Sequence, residues 1–340
     1  MSGYQPPVFA GRIDLDLSRN EGRSVLETSD LDIELVGDPI RRYPDTSSLV
    51  RLLAERHGVD EDRVLVTAGG DDAIFRFLLA SRAEVVATTP TFEMIARYAD
   101  QIGVRLSEVV WWDGRLPIEE MAATEAEVVV VVSPNNPTGS TIEEADLVEL
   151  ADRFRLVLFD AAYAEFADVD LTPVALELGN VVVVRTLSKA FGLAGLRVGY
   201  LMGAADVVAG IAGFGSPYAV SGVSVVLASR ALETGLGRAE SYARTVMEER
   251  ERLIELLGAL GAGPLPSQGN FVLASDVDPA DLVEKAASAG VGLRHFPGRS
   301  GLESSVRIGL PGSGDDFDRL VRVLTEVLAD VRDMEVADVS

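Results

Sequence analysis

The chain has no cysteine, two histidines and only two lysines among its 340 residues. Without cysteine there is neither a disulfide framework nor a thiolate metal site, and His57 and His295 stand far apart in the sequence, so no metal centre is expected. No apolar stretch reaches the roughly 18 residues of a membrane span. Residues 1–12 lack a basic region followed by an apolar one, so a cytoplasmic protein is expected. Bases are also scarce relative to acids: 30 against 54, a net charge of -24. That charge repels nucleic-acid phosphates and anionic lipid surfaces. A hydrophobic content of 47% is enough for a large core, divided between a main domain and a smaller one.

Because arginine supplies nearly every base, the place of Lys189 is informative. It lies in the run Thr186-Leu187-Ser188-Lys189-Ala190-Phe191-Gly192-Leu193-Ala194-Gly195-Leu196-Arg197. A guanidinium stays protonated and does not condense with an aldehyde, whereas a primary amine does. The chemistry suggested is Schiff-base formation. The competing reading is a solvated lysine beside a glycine-rich loop.

Short apolar runs at 63–67, 84–88, 127–132, 155–159 and 181–185 read as buried strands, and helical spacing at 71–80 and 143–154 supplies crossovers between them. The expected architecture is α/β, a mostly parallel sheet with helices on both faces. A periodic, charged stretch at 236–260 predicts one long exposed helix. Strands near Phe271, Leu293 and Val306 then mark a smaller α+β domain, entered through the Gly/Pro loop 261–266. The expected division is an N-terminal arm with part of the small domain at 1–35, a large domain at 36–240, a small C-terminal domain at 241–330 and a polar tail at 331–340.

In open α/β sheets ligands collect at the carboxyl ends of the strands, and each end carries a candidate. The first runs into Gly69-Gly70-Asp71-Asp72, either an anion site at a helix N-terminus or a turn with an aspartate cap. Then come Thr89-Pro90-Thr91-Phe92, Ser133-Pro134-Asn135-Asn136-Pro137-Thr138-Gly139 and Asp160-Ala161-Ala162-Tyr163. Read singly these are a core phenylalanine, an Asn-Pro turn and a strand-end acid. His57 reads as a helix-end histidine meeting the final carbonyls before Gly58, and His295 as structural.

Taken in order over residues 17–328, these motifs resemble the fold-type I, class I/II pyridoxal-phosphate aminotransferases, nearest the histidinol-phosphate aminotransferase group. The resemblance implies a three-layer sheet fold, pyridoxal 5'-phosphate as cofactor, small-molecule amino donor and 2-oxo acid substrates, and a homodimer. It implies that Lys189 holds the cofactor, that Asp160 pairs with the ring nitrogen, and that Asn136 and Tyr163 bond the ring oxygen. Phe92 then stacks on the ring, worth about 0.5–1.5 kcal/mol beyond burial. Gly70, Asp71, Ser188 and Arg197 surround the phosphate, and Tyr43 reaches the phosphate of the other subunit. Arg307 is placed to grip the substrate carboxylate, Arg294 a substrate phosphate or, alternatively, a strand-face salt bridge, with Asn270 and Tyr218 nearby. Two positions depart from the pattern. Ala161 stands where a glutamate is common, and the arm Asn20-Glu21-Gly22-Arg23-Ser24-Val25 lacks the usual proline and tyrosine, so that Arg23 is considered as a substitute anion ligand.

The implied reaction is transamination by ping-pong chemistry. Within the same fold the alternative is a decarboxylase or lyase, since the bond that breaks depends on substrate alignment. A catalytically inactive cofactor-binding regulatory protein is the alternative of another class. A nucleotide-binding oxidoreductase would need Gly-x-Gly-x-x-Gly after the first strand, where Ala68-Gly69-Gly70-Asp71 stands instead.

Overall fold

The computed structural model describes residues 7–31, 37–112 and 114–338, with side chains to Ala329; the arm boundary at 35–36 lies outside them. Twelve strands are present among these residues: β1 Leu15–Asp16, β2 Val64–Thr67, β3 Val85–Thr89, β4 Leu106–Val110, β5 Val128–Val132, β6 Leu156–Asp160, β7 Val181–Thr186, β8 Gly199–Met202, β9 Phe271–Ala274, β10 Val291–Gly292, β11 Arg294–His295 and β12 Val306–Gly309. Seven form the central sheet in the order β2-β8-β7-β6-β5-β3-β4, with only β8 antiparallel to its neighbours. The fold is α/β with a mostly parallel sheet covered on both faces.

The valine-rich strands show why. In β5, Val128, Val130 and Val132 pack into one hydrophobic cluster while Val129 and Val131 pack into the other. Leu158 and Val157 of β6, and Val182 and Val183 of β7, divide the same way. Alternate side chains of a strand point to opposite faces, so a strand with helices above and below needs an unbroken apolar run.

A separate three-stranded antiparallel sheet, β11-β12-β9, stands beside the central one, and β1 pairs in parallel with β10. Through that pairing the N-terminal segment crosses to the pocket, and the Leu17 N–H bonds the Gly292 carbonyl at 2.9 Å.

Two expectations need correction. The long helix Leu236–Ala259 forms, but it is exposed on one side only: Tyr242, Val246, Leu253 and Leu257 make a buried stripe. Its Glu249 and Arg250 are buried too. Glu249 accepts the N–H groups of Gly312 (2.8 Å) and Ser313 (2.7 Å), and Arg250 donates to the Phe166 carbonyl at 2.7 Å, so both charges are bonded to backbone. The second concerns the polar tail expected as a separate segment at 331–340, because the helix Gly314–Asp338 runs into it. No Gly or Pro follows Gly314 in that span, and extending an existing helix costs far less than nucleating one. Among the described residues no helix is long and apolar enough to cross a membrane.

Candidate active site

The carboxyl ends of β2, β3, β5, β6 and β7 open on one cavity of about 370 Å³. It gathers Gly70, Asp71, Phe92, Asn136, Asp160, Tyr163, Ser188, Lys189, Arg197, Arg294 and Arg307 from the sequence reading. Residues more than 200 positions apart meet there because the β1–β10 pairing and the β11–β12 hairpin bring the second sheet to its rim.

Asp160 ends β6 at the floor, only 5% exposed. Its Oδ1 accepts the Ala162 N–H at 3.1 Å, and no cation reaches salt-bridge distance among the described residues. Burial pushes its carboxyl up to about 7; Asp71 adds to the rise, while the Ala162 amide and Lys189 oppose it. A buried acid of this kind suits a ligand that brings its own protonated nitrogen. Beside it, the Tyr163 hydroxyl accepts from Asn136 Nδ2 (3.3 Å) and Asn20 Nδ2 (3.4 Å), so its own proton is what remains to give a ligand.

Lys189 follows β7 by three residues, and its Nζ donates to the Arg19 carbonyl at 3.3 Å while standing 5.5 Å over the Tyr163 ring. The turn is built closely around it. A Cβ on Gly22 would lie 1.8 Å from the Lys189 carbonyl oxygen, so only glycine fits where the arm crosses the lysine loop. The loop after β2 shows a similar demand: Gly69 has φ 84, and a Cβ there would meet Arg197 Nη2 at 2.6 Å. Arg197, itself at φ 53, bonds Asp71 at 3.1 Å beside the N-terminus of the helix Gly70–Ser81. Asp72 instead turns back to cap Ala68 N–H at 2.9 Å. The reading of this loop as a turn held by an aspartate is thus met by Asp72. Ser188 bonds Thr186 Oγ1 through its N–H at 3.1 Å and accepts from that hydroxyl at 2.9 Å.

The loop after β5 divides its two asparagines. Asn135, fully buried, donates to the Pro90 carbonyl and Thr138 Oγ1, both at 2.9 Å, and ties this loop to the one after β3. Asn136 faces the cavity and accepts Arg307 Nη1 at 2.6 Å; Arg307 Nη2 donates to the Ser18 carbonyl at 2.8 Å. Phe92 lines the cavity and also packs on the core. Arg294 likewise lines the cavity and pairs with Glu93 at 3.5 Å.

A model of the family "Aminotransferase class I and II" matches residues 16–324. The chain belongs to this family. It is 35% identical over 298 residues to the histidinol-phosphate aminotransferase of Thermoanaerobacter pseudethanolicus, covering 84% of each chain. The crystal structure of histidinol-phosphate aminotransferase from Sinorhizobium meliloti, in complex with pyridoxal-5'-phosphate, superposes with a TM-score of 0.84 at 25% identity, covering 94% of this chain and 92% of that one. L-threonine-O-3-phosphate decarboxylase from Porphyromonas gingivalis shares the fold at a TM-score of 0.79 and 22% identity, with 93% of this chain and 99% of that chain covered.

In this aminotransferase three sequence readings, those of Asn270, Arg23 and His57, meet a different outcome. Asn270 is fully buried behind the wall, where its Nδ2 donates to the Asn20 carbonyl at 3.3 Å, and it does not line the cavity. Arg23 turns outward to Asp316 at 3.2 Å, a nearby carboxylate that removes it from anion binding in the pocket. Tyr43, expected to serve the other subunit, is 80% exposed and stacks on Tyr218 with ring centroids 4.5 Å apart, outside this chain's cavity. His57 ends the helix Ser47–His57, yet its Nε2 meets the Tyr200 hydroxyl at 3.0 Å; the Gly58 N–H, in a left-handed cap, takes the final carbonyls instead.

Sequence reasoning missed Asn20, Glu93 and Arg299, which lies in the β11–β12 turn and lines the cavity. Asn20 stands in the arm whose missing tyrosine is the more conspicuous feature, so its signal is in the sequence. Arg299 carried no motif.

Proposed function

We propose that this aminotransferase moves an amino group between an amino-alcohol phosphate or amino acid and a 2-oxo acid, working as a cytoplasmic homodimer with pyridoxal 5'-phosphate at the floor of the cavity. The observation that carries the reading is Asp160, a buried acid with no cation at salt-bridge distance among the described residues, facing the same cavity as Lys189. When bound, the cofactor supplies an aldehyde that condenses with amines and a ring that takes up the electron pair left at the substrate α-carbon.

In this reading Asp160 holds the ring nitrogen protonated, and Tyr163 and Asn136 hold the ring oxygen. Gly70, Asp71, Ser188 and Arg197 would cradle the phosphate, and Phe92 covers one ring face. Lys189 would anchor the cofactor and, once freed by an incoming amine, would serve as the base that takes the proton from the substrate α-carbon and returns it two bonds away. Arg307 orients the substrate from the small sheet, its guanidinium fixed by Asn136 and Ser18. The domain division at 36–240 and 241–330 belongs to this proposal, with the cavity between the two sheets. The exposed, stacked Tyr43 and Tyr218 support a dimer in which Tyr43 serves the other subunit's phosphate. The cytoplasmic placement rests on the sequence alone.

The test is a visible spectrum of the protein with pyridoxal phosphate, repeated with glutamate, histidinol phosphate and aromatic amino acids in turn. The expected result is conversion by a phosphate-bearing donor, reversed by a 2-oxo acid and abolished in Lys189→Ala. Carbon dioxide release without consumption of an oxo acid would contradict it in favour of decarboxylation.

A further inference from the structure

Beside the cavity the N-terminal arm gives three successive backbone carbonyls to side chains from elsewhere in the fold. Ser18 accepts Arg307 Nη2 at 2.8 Å, Arg19 accepts Lys189 Nζ at 3.3 Å, and Asn20 accepts Asn270 Nδ2 at 3.3 Å. The arm is fixed on either side of them, by the Leu17 N–H on the Gly292 carbonyl and by Gly22 against the Lys189 carbonyl. Within this stretch Asn20 takes the left-handed conformation, at φ 52, which asparagine tolerates better than most residues with a Cβ.

Asn20 is 2% exposed and does not line the cavity. Its Nδ2 donates instead to the Tyr163 hydroxyl at 3.4 Å, and its Oδ1 has no partner among the described residues. Asn136 donates to the same hydroxyl at 3.3 Å, its amide oriented by the Arg307 bond to its Oδ1. A phenol has one proton. With two amide N–H groups on its oxygen, that proton is left for the cavity, and each donated N–H makes the hydroxyl a stronger donor in turn. A hydroxyl that turned its proton toward Asn20 would present only lone pairs to an anionic oxygen in the cavity. The ring is held as well: Tyr163 is 4% exposed and meets Phe271 edge-on, with centroids 5.2 Å apart.

We propose that Asn20 is a positioning residue which, from outside the cavity, acts through Tyr163 by keeping the phenol proton aimed at the ring oxygen of the bound cofactor. The inference rests on the reading of Tyr163 as a ligand of that oxygen, but its test needs neither turnover nor Lys189. 4-Deoxypyridoxine 5'-phosphate has the cofactor's ring oxygen and phosphate without its aldehyde; pyridin-3-ylmethyl phosphate lacks the ring oxygen too. Both are titrated by calorimetry at about pH 8 into the cofactor-free parent, Asn20→Gly, Asn20→Asp, Tyr163→Phe and the double variant of Asn20→Gly with Tyr163→Phe. Glycine takes φ 52 without strain and removes only the side chain, whereas an ionised Asp keeps the shape and offers acceptors alone. Deoxypyridoxine phosphate is expected to lose about three- to tenfold in affinity with Gly and at least as much with Asp, while pyridinylmethyl phosphate changes less than about twofold with Gly. In the Tyr163→Phe background Asn20→Gly is expected to cost nothing further, because effects carried through one contact do not add. Parent-like binding of deoxypyridoxine phosphate by both Asn20 variants overturns the proposal. Equal losses for the two ligands, or the same loss from Asn20→Gly with Phe at 163, also overturn it, since Asn20 would then be only a strut in the arm. Failure of the underlying reading shows differently: Tyr163→Phe then binds deoxypyridoxine phosphate as tightly as the parent does, or the parent binds neither it nor pyridoxal phosphate, and either result removes the proposal with it.

Discussion

Removing the charge of Asp160 should stabilise the cofactor-free protein while destroying its activity. The carboxyl, ordinarily at 3.8, is pushed up to about 7, chiefly by burial. Between those values the folded state keeps a proton that the unfolded chain has released. Stability therefore falls as pH rises through that window, and the loss is complete above about pH 7. A displacement of this size corresponds to about 4 kcal/mol. Asn has nearly the same shape, can still accept the Ala162 N–H and carries no charge. Urea unfolding of cofactor-free parent and Asp160→Asn should then show the variant more stable by up to about 4 kcal/mol at pH 8, with the gap closing toward pH 4. With pyridoxal phosphate bound the order should reverse, since the parent's carboxylate gains the ring N–H, and the variant should lose on the order of a hundredfold or more in kcat. A variant less stable than the parent at pH 8 without cofactor, or a gap that ignores pH, would refute the reasoning.

Further outcomes follow from particular contacts. His57 is held down to about 3 by burial, with Arg185 and Arg56 adding to the effect and Asp170 opposing it. The unfolded chain therefore takes up this proton first, and stability drains as pH falls from about 6.5 toward 3; His57→Gln should flatten the acid limb of a thermal-midpoint profile, and an unchanged limb would contradict that assignment. Gly22→Ala places a methyl group against the Lys189 carbonyl, a backbone atom that cannot swing aside. It should lower kcat/KM by more than about tenfold and stability by about 1–3 kcal/mol, and wild-type kinetics would show that the arm is not packed on the lysine loop.

Legibility in the sequence followed the physics of each element. The valine-rich strands could be read because a strand buried on both faces has no polar alternation to obscure it, as in β5 and β7. The residues at the strand ends were readable because the fold puts those ends together and the motifs kept their order. Charged residues in the long helix were read as solvated because helical period alone does not say that Glu249 meets two amides of a distant turn. His57 was misread for the same reason: its partner, Tyr200, lies 143 positions away. Arg299 was silent because it meets Arg294 and Arg307 only around the Phe296 ring, a juxtaposition made by the hairpin and the wall beside it.

The central claim is that Lys189 is the amine that holds the cofactor, and the scarcity of lysine allows a direct test. The protein is mixed with pyridoxal phosphate, reduced with borohydride to fix the cofactor to the amine it occupies, digested and mapped by mass spectrometry. Only one other lysine can compete, Lys285, which pairs with Asp281 at 2.8 Å on the helix Pro279–Ser288. The account predicts stoichiometric label on the peptide containing Lys189 and none on the peptide containing Lys285. Label on Lys285, or no label on Lys189, would contradict it.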